Sequence, residues 1–259
     1  MTFYKSLLLT TLMVFTALPG HAAKHVIAAA ELTSLFHTIP IDEKNFPTSF
    51  GAYYDILSKV IDDTGLQDEF ELLVIPMRRA KRGFLNKTYA CYAPGIDTFD
   101  FPDEVESRYD LLTSVPINVA KAKLVSAQGM PVLTSADEVK PDFAISIVSG
   151  VPENQEIKHI LARAAGVIRV KSEVENLRAV MNHHATHAII YLPDALLAYE
   201  KAGSPVHNYD EQWDLLTIKD AVTCHADYQG AFNKINQALM TMRASGELKR
   251  MLGQFYIPQ

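Results

Sequence analysis

Short apolar runs alternate with amphipathic stretches along most of this chain, and this alternation predicts strands and helices in turn. The predicted strands cover residues 25–30, 70–75, 89–93, 115–126, 143–148, 167–170, 187–191 and 221–225. The predicted helices cover residues 51–64, 76–87, 103–112, 152–165, 173–182, 193–201, 228–243 and 246–255. Strands that alternate with helices are typical of mainly parallel sheets flanked by helices. The pattern therefore indicates an α/β protein.

The helix predicted to begin at Pro76 breaks a local rule, because Arg78 and Arg79 lie in its first turn. Cations there face the positive end of the helix dipole, which costs up to about 1 kcal/mol at a surface site. Broken local rules often mark functional sites, so both arginines are candidate ligand contacts. The alternative, two solvated arginines beside Lys81 and Arg82, stays open at this stage.

The composition is that of a globular protein that can bury a full core, since 48% of the 259 residues are apolar and 21% are charged. A net charge of −6 without a basic stripe argues against a nucleic-acid partner. The sequence contains neither a Gly-x-Ser-x-Gly nucleophile motif nor a phosphate-cradling glycine loop. We therefore expect no cofactor and no catalysis.

The N-terminus has the three parts of a secretory signal peptide: Lys5, an apolar run over residues 7–17, and small residues up to Ala23. The apolar run is too short to cross a membrane. Cleavage after Ala22 or Ala23 would remove residues 1–23. The mature protein is then expected to be soluble and to reside in the periplasm.

Two cysteines, Cys91 and Cys224, follow the signal peptide. An oxidising compartment allows them to form a disulfide, but they could instead simply be buried as small hydrophobic residues. The sequence alone does not give the geometry that a disulfide needs, so both alternatives stay open.

The only histidine cluster is His183, His184 and His187. Two of them are four residues apart, a spacing that could bind zinc on one helix face. Ala185 and Thr186 fall where the predicted helix gives way to a strand, however, so a solvated turn is the simpler interpretation. We expect no metal site.

Several loose motifs follow one another in a recognisable order. They are Gly51-Ala-Tyr-Tyr-Asp55-Ile-Leu57, Pro76-Met-Arg-Arg79-Ala80, Glu106-Ser-Arg108 with Leu112-Thr-Ser-Val-Pro116 downstream, Ser149-Gly150, and Ala231-Phe-Asn-Lys-Ile-Asn236 with Phe255-Tyr256. Together with the order of elements, they resemble family 3 of the bacterial extracellular solute-binding proteins. These are periplasmic receptors typified by polar amino acid transport. The resemblance covers nearly the whole mature chain.

This resemblance implies two lobes, each with its own sheet, joined by strands that cross near residues 115–121 and 207–213. Residues 24–118 and 208–259 would form lobe 1, and residues 119–207 would form lobe 2. The ligand would lie in the cleft between the lobes, which would close on it about the hinge. The protein would act as a monomer and deliver its ligand to a membrane permease or sensor.

The resemblance also implies that Arg108 binds a ligand carboxylate and that Arg79 lies near the cleft. The planar fork of an arginine matches a carboxylate through two charge-assisted hydrogen bonds. The family's acidic partner for a ligand ammonium group falls near Leu192, with Tyr191 beside it as a candidate contact. We therefore expect an anionic or neutral polar ligand, such as an organic acid or a modified amino acid.

Other candidate contacts come from aromatic side chains and from a turn. Phe36, Phe50 and Tyr53 are predicted to give the cleft an apolar wall. Ser149, together with the N–H groups of the helix predicted to begin at Pro152, is a candidate anion contact, because helix N-termini favour negative charge. Against this, proline lacks an N–H group, and an acidic residue follows it.

Three functions compete on this sequence. The first is a transport receptor, which we favour, and the second is a ligand-binding protein that serves a membrane sensor. The third is an enzyme, because the same family fold hosts a periplasmic dehydratase of cyclic precursors of phenylalanine. An acidic cleft residue such as Glu31 would then act as general acid or base. Fold does not settle function, and nothing in the sequence supports that assignment specifically.

Overall fold

A computed structural model describes residues 23–31, 34–36, 51–99, 110–203 and 205–258. Four predictions lie wholly or mostly outside the described residues: the signal peptide before residue 23, the helix predicted over residues 103–112, and the ligand contacts Phe50 and Arg108. Within the described part of the chain, no helix is long and apolar enough to span a membrane.

The first sheet has the strand order β2-β1-β3-β10-β4. Its strands are β1 (His25–Ala30), β2 (Phe70–Ile75), β3 (Cys91–Ala93), β4 (Leu111–Thr113) and β10 (Thr223–His225). Strand β1 pairs in parallel with β2 and β3, whereas β10 is antiparallel to β3 and β4. The predicted parallel strand–helix–strand unit is therefore confirmed around β1, although the sheet as a whole is mixed.

Helices cover both faces of the first sheet. They are α1 (Ala52–Asp63), α2 (Met77–Leu85), α6 (Gln229–Ala244) and α7 (Glu247–Leu252). Helix α1 buries an apolar stripe that begins at Tyr53 and Ile56 and packs with α6 and α7 in one cluster. Helix α2 instead packs its Ala80 and Phe84 against Tyr92 on the other face.

The second sheet has the strand order β7-β6-β8-β5-β9. Its strands are β5 (Asn118–Ser126), β6 (Ala144–Val148), β7 (Gly166–Val170), β8 (His187–Leu192) and β9 (Leu216–Asp220). Strand β6 is parallel to β7 and β8, and β5 is antiparallel to β8 and β9. Two helix-flanked α/β sheets confirm the predicted fold class, and in each of them one strand runs against the other four.

Three helices flank the second sheet: α3 (Gln155–Arg163), α4 (Glu173–Met181) and α5 (Asp194–Ala202). The prediction that a helix begins at Pro152 is wrong, because α3 starts only after Asn154. The Asn154 side chain accepts a hydrogen bond from Ile157 N at 2.9 Å, which satisfies a free N–H group of the first turn. Ser172 caps α4 in the same way.

The chain passes between the two sheets twice, and the two passages run side by side. Ser114 N donates to Val222 O at 2.9 Å, and Ile117 N donates to Asp220 O at 2.7 Å. Strand β9 was not predicted, and although it falls within residues 208–259 it pairs with β5 in the second sheet. The division of the chain into lobes otherwise remains a prediction.

Candidate functional site

A cavity of about 580 Å³ lies between the elements of the two sheets, and we call it the outer chamber. On the side of the first sheet it is lined by Glu31, Pro76, Met77 and Arg78. On the side of the second sheet it is lined by Ser149, Gly150, Lys171, Ser172, Glu173, Val174, Leu197, Ala198 and Lys201. Its position is therefore that of the predicted cleft.

A smaller cavity of about 50 Å³, the inner chamber, adjoins the outer one. Met77 and Glu173 line both chambers. Three carboxyl side chains reach the inner chamber, those of Glu173, Asp194 and Asp220, and Thr98 and Tyr191 also line it. A water molecule occupies about 30 Å³ of liquid, so the inner chamber has room for little more than one or two waters.

The sheet topology explains why these residues meet. In each sheet, the parallel strands run in one direction, so their carboxyl ends share one edge. Glu31 follows β1 and Pro76 follows β2, while Ser149 follows β6 and Lys171 follows β7. Ligands of open α/β sheets bind at the carboxyl ends of the strands. The two edges face each other across the chambers.

Asp220 ends β9 and is buried at the inner chamber. The hydroxyl group of Tyr53 donates a hydrogen bond to Asp220 Oδ2 at 2.5 Å, which joins α1 to β9. Burial raises the pKa of Asp220 to about 8, nearby Asp194 and Asp97 raise it further, and the bond from Tyr53 opposes the shift. Asp220 is therefore mostly protonated at neutral pH.

Glu173 is the first residue of α4 and is also buried. Its Oε1 accepts from Tyr191 N at 2.9 Å, and its Oε2 accepts from Asn176 Nδ2 at 3.0 Å. Burial raises the pKa of Glu173 to about 8, although these two hydrogen bonds lower it, and Asp194 adds a small increase. The side chain is thus a neutral acid at pH 7 that faces both chambers.

Three of the predicted contacts line the chambers, and a fourth, Arg79, does not. Arg78 and Ser149 line the outer chamber from opposite sides. Tyr191 lines the inner chamber, and its hydroxyl group donates to Pro152 O at 2.5 Å. Arg79 is exposed on α2 and is not among the described residues that line either chamber.

Phe36 and Tyr53 are placed in the core rather than on a cleft wall. Both are fully buried, and their rings meet edge to face with centroids 5.5 Å apart. Tyr53 reaches the inner chamber only through its hydrogen bond to Asp220. A direct ligand contact by either ring remains a prediction.

The sequence-based reasoning missed five charged residues of the chambers: Lys171, Glu173, Asp194, Lys201 and Asp220. It found no acidic partner for a ligand ammonium group, whereas three carboxyl groups line the inner chamber. A capping signal could have revealed one of them, since a Ser-x-x-Glu pattern starting at Ser172 marks the beginning of α4. Asp220 could not be placed without β9.

At the histidine cluster, as elsewhere in the described part of the chain, no three metal-ligating side chains converge. His187 is buried in β8, its Nε2 lies 3.1 Å from Pro131 O, and its ring packs on Phe143. His183 has a left-handed backbone with φ of 55° in the turn before that strand. The turn separates the three rings.

Comparison with known proteins supports the architecture. No family model and no curated protein matches the sequence. Among solved structures, the substrate-binding protein of an amino acid ABC transporter is 12% identical, with a TM-score of 0.66 over 90% of this chain and 99% of that chain. The chain has the two-lobed fold of amino-acid-binding proteins. This confirms the fold implied by the sequence resemblance.

Two other solved structures show the same fold. The arginine-, lysine- and histidine-binding protein of Geobacillus stearothermophilus is 16% identical, with a TM-score of 0.68 over 90% of this chain and 95% of that one. An ancestral amino-acid-binding protein, described as a precursor of cyclohexadienyl dehydratase, is 13% identical, with a TM-score of 0.64 over 90% and 95%. At these identities the likeness concerns the fold alone.

Proposed function

We propose that the protein is a periplasmic solute-binding protein that holds a small polar ligand between its two lobes. The observation that carries the proposal is the outer chamber, because residues of both sheets line it. A ligand that contacts both sides stabilises the closed arrangement over the open one, as a hinge mechanism requires. The ligand would then pass to a membrane permease, or its presence would be read by a membrane sensor.

The proposed ligand carries an anionic group and is either an organic acid or amino-acid-like. Arg78, Lys171 and Lys201 give the outer chamber three cationic side chains. The carboxyl groups of the inner chamber supply a second polar surface, which suits a ligand that also carries a hydrogen-bonding or ammonium group. Arg108 and Arg79 remain proposed carboxylate contacts on the strength of the family resemblance.

A metabolite screen tests this function. A ligand stabilises the folded protein by about 2.7 kcal/mol at a hundredfold excess over its dissociation constant, so thermal-shift measurements will detect it. Calorimetry with the best ligand then compares Arg78→Ala, Arg79→Ala and Arg108→Ala with the parent protein. Loss of a desolvated charge partner costs about 2–5 kcal/mol of binding energy.

The proposal predicts that at least one of the three arginine substitutions weakens binding more than tenfold. A broad library of organic acids and amino acids without a single stabilising compound would contradict the binding function itself. Binding that changes less than threefold in all three variants would leave the function intact but refute the arginine contacts.

A second candidate is an enzyme on the same fold, and Glu173 is the observation that favours it. A carboxyl group kept neutral by burial is suited to act as a general acid. One structural neighbour is described as a precursor of cyclohexadienyl dehydratase. Incubation with a prephenate-like compound tests this alternative. Turnover that is lost in Glu173→Gln, with binding retained, would establish it.

A further inference from the structure

Three cations line the outer chamber, and none of them has a partner of opposite charge among the described residues. Arg78 comes from α2, Lys171 from the β7–α4 connection and Lys201 from α5. Among the described residues, none of the three side chains takes part in an ion pair or a hydrogen bond. By contrast, Arg169 at the edge of the same sheet pairs with Glu153 at 2.6 Å.

The acidic side chains in the chamber do not balance this charge. Glu31, which is exposed, and Glu173 are the only two acidic residues among the described residues that line the chamber. Burial raises the pKa of Glu173 to about 8, so this carboxyl group is mostly neutral there. The chamber therefore keeps an excess of positive charge at neutral pH.

The rest of the wall is largely apolar. Met77 faces the chamber from the first-sheet side, and Val174, Leu197 and Ala198 face it from α4 and α5. Pockets of about 300–1,000 Å³ with a mainly apolar lining and a few charged groups are typical sites for small organic ligands. The chamber, at about 580 Å³, falls within this range. The inner chamber is too small to take the body of such a ligand.

We propose that the outer chamber binds an amphipathic organic anion, that is, a carboxylate or phosphate monoester on an apolar body. The anionic head lies among Arg78, Lys171 and Lys201, and the body packs on Met77, Val174 and Leu197. This inference rests on the proposed solute-binding function and names its ligand class.

The same arrangement explains how such a ligand would draw the two sides together. Arg78 belongs to the first-sheet side, whereas Lys171 and Lys201 belong to the second-sheet side. Without ligand, like charges oppose the approach of the two sides. An anion that contacts both sides turns this repulsion into attraction and so favours the closed state.

Four matched probes test the charge and the apolar body in calorimetry: 3-phenylpropanoate, phenethyl phosphate, 3-phenylpropanamide and phenethylammonium. Acetate serves as an anion without an apolar body. The expected result is that at least one of the two aryl anions binds at least tenfold more tightly than the amide, the ammonium compound and acetate. The ratio of the dissociation constants of the two aryl anions distinguishes a carboxylate site from a phosphate site. Equal binding of the amide, or equal binding of acetate, would overturn the proposal.

Variants of the two lysines then locate the site. Lys171→Gln and Lys201→Gln should each weaken the binding of the tighter-binding aryl anion about three- to tenfold. The double variant should weaken it at least thirtyfold. Both lysines are exposed, so the variants should keep the circular dichroism spectrum of the parent. Lys234→Gln is the matched control, because Lys234 is exposed on α6, outside the chamber, and should not change binding.

The outcomes separate this inference from the general function. If a library solute binds but the double variant retains its affinity for that solute and for both aryl anions, the protein is a solute-binding protein with a different ligand class. If neither the library nor the probes bind, both proposals are wrong. Increasing salt should weaken anion binding in the parent and less so in the double variant.

Discussion

The two sheets follow one plan, but they hold their antiparallel strands in different ways. In each, an inner strand has a parallel partner on either side, and two further strands complete the sheet: one runs in the opposite direction, and the last is antiparallel to that one. In the first sheet, β3, β4 and β10 are only three residues long, and a disulfide joins Cys91 of β3 to Cys224 of β10. In the second sheet, β5 is nine residues long and pairs over six positions with β8.

The two sheets therefore hold the segment of chain that re-enters them by different interactions. Short ladders contribute few hydrogen bonds, so the C-terminal segment that enters the first sheet is secured covalently. Long ladders secure the second sheet without a covalent bond. There, the connection before β9 is held instead by one buried lysine, Lys123, which reaches three backbone carbonyl groups.

Removal of the disulfide should have the largest effect on stability. The bond closes a loop of 133 residues, and loss of a native disulfide typically costs about 2–5 kcal/mol, more for longer loops. We expect Cys91→Ala/Cys224→Ala to lose at least about 3 kcal/mol in urea unfolding. Reductant should destabilise the parent similarly and leave the double variant unchanged. A loss below about 1 kcal/mol would show that the short ladder needs no covalent support.

Loss of Lys123 should have the next largest effect. Its Nζ lies 2.7 Å from Asp214 Oδ1 and donates to the carbonyl oxygens of Asp210, Glu211 and Trp213. Lys123→Met would leave three part-buried carbonyl acceptors and the Asp214 carboxylate without this donor, at a cost of about 2–4 kcal/mol.

Lys121→Met is the matched control for this prediction. Lys121 pairs with the same carboxylate, that of Asp214, at 2.6 Å, but its side chain is 30% exposed. Pairs of this kind contribute about 0–1 kcal/mol, so the control should lose much less. Equal losses in urea unfolding of the two variants would mean that the carbonyl contacts of Lys123 do not support the second sheet.

A dependence of stability on pH tests the buried carboxyl groups between the sheets. The pKa of Glu173 is about 8 in the folded protein and near 4.5 when unfolded, and that of Asp220 is about 8 against 3.8. Between these values the unfolded chain releases the proton and the folded protein keeps it. Stability should therefore fall as the pH rises from about 5 to 8, by up to about 1.4 kcal/mol per pH unit and per group.

Two neutral variants isolate this contribution. Glu173→Gln and Asp220→Asn should each flatten the decline of the melting temperature between pH 5 and 8. Asp220 faces Tyr53, Asp194 and Asp97, and Glu173 faces Asp194, so acidic neighbours reinforce both shifts. A parallel decline in parent and variants would show that neither group keeps its proton in the folded state.

Local sequence patterns were sufficient for most secondary structure. The apolar runs at His25–Ala30 and Phe70–Ile75 are the strands β1 and β2 with the predicted bounds. The apolar stripe at Phe232, Ile235, Leu239 and Met242 is the buried face of α6. These elements were predictable because the periodicity of buried positions appears as a pattern of apolar residues close together in the sequence.

Other elements depended on partners far along the chain. Strand β9 is a five-residue segment with alternating exposure. It forms because it pairs with β5, which lies almost 100 residues earlier in the sequence. The start of α3 depended on the Asn154 cap rather than on the favourable position of Pro152. The register of β3 and β10 brings Cys91 and Cys224 opposite one another, and their disulfide depends on this long-range pairing.

Local patterns predicted the α/β class and most helices and strands, and they singled out Arg78 and Ser149, which line opposite sides of the outer chamber. That Lys171 and Lys201 share this chamber, and that Glu173 and Asp220 meet in the inner chamber, follows only from the packing of the two sheets. The reason is physical. Burial periodicity is local, whereas the charge of a cleft depends on which strand ends the two sheets place face to face.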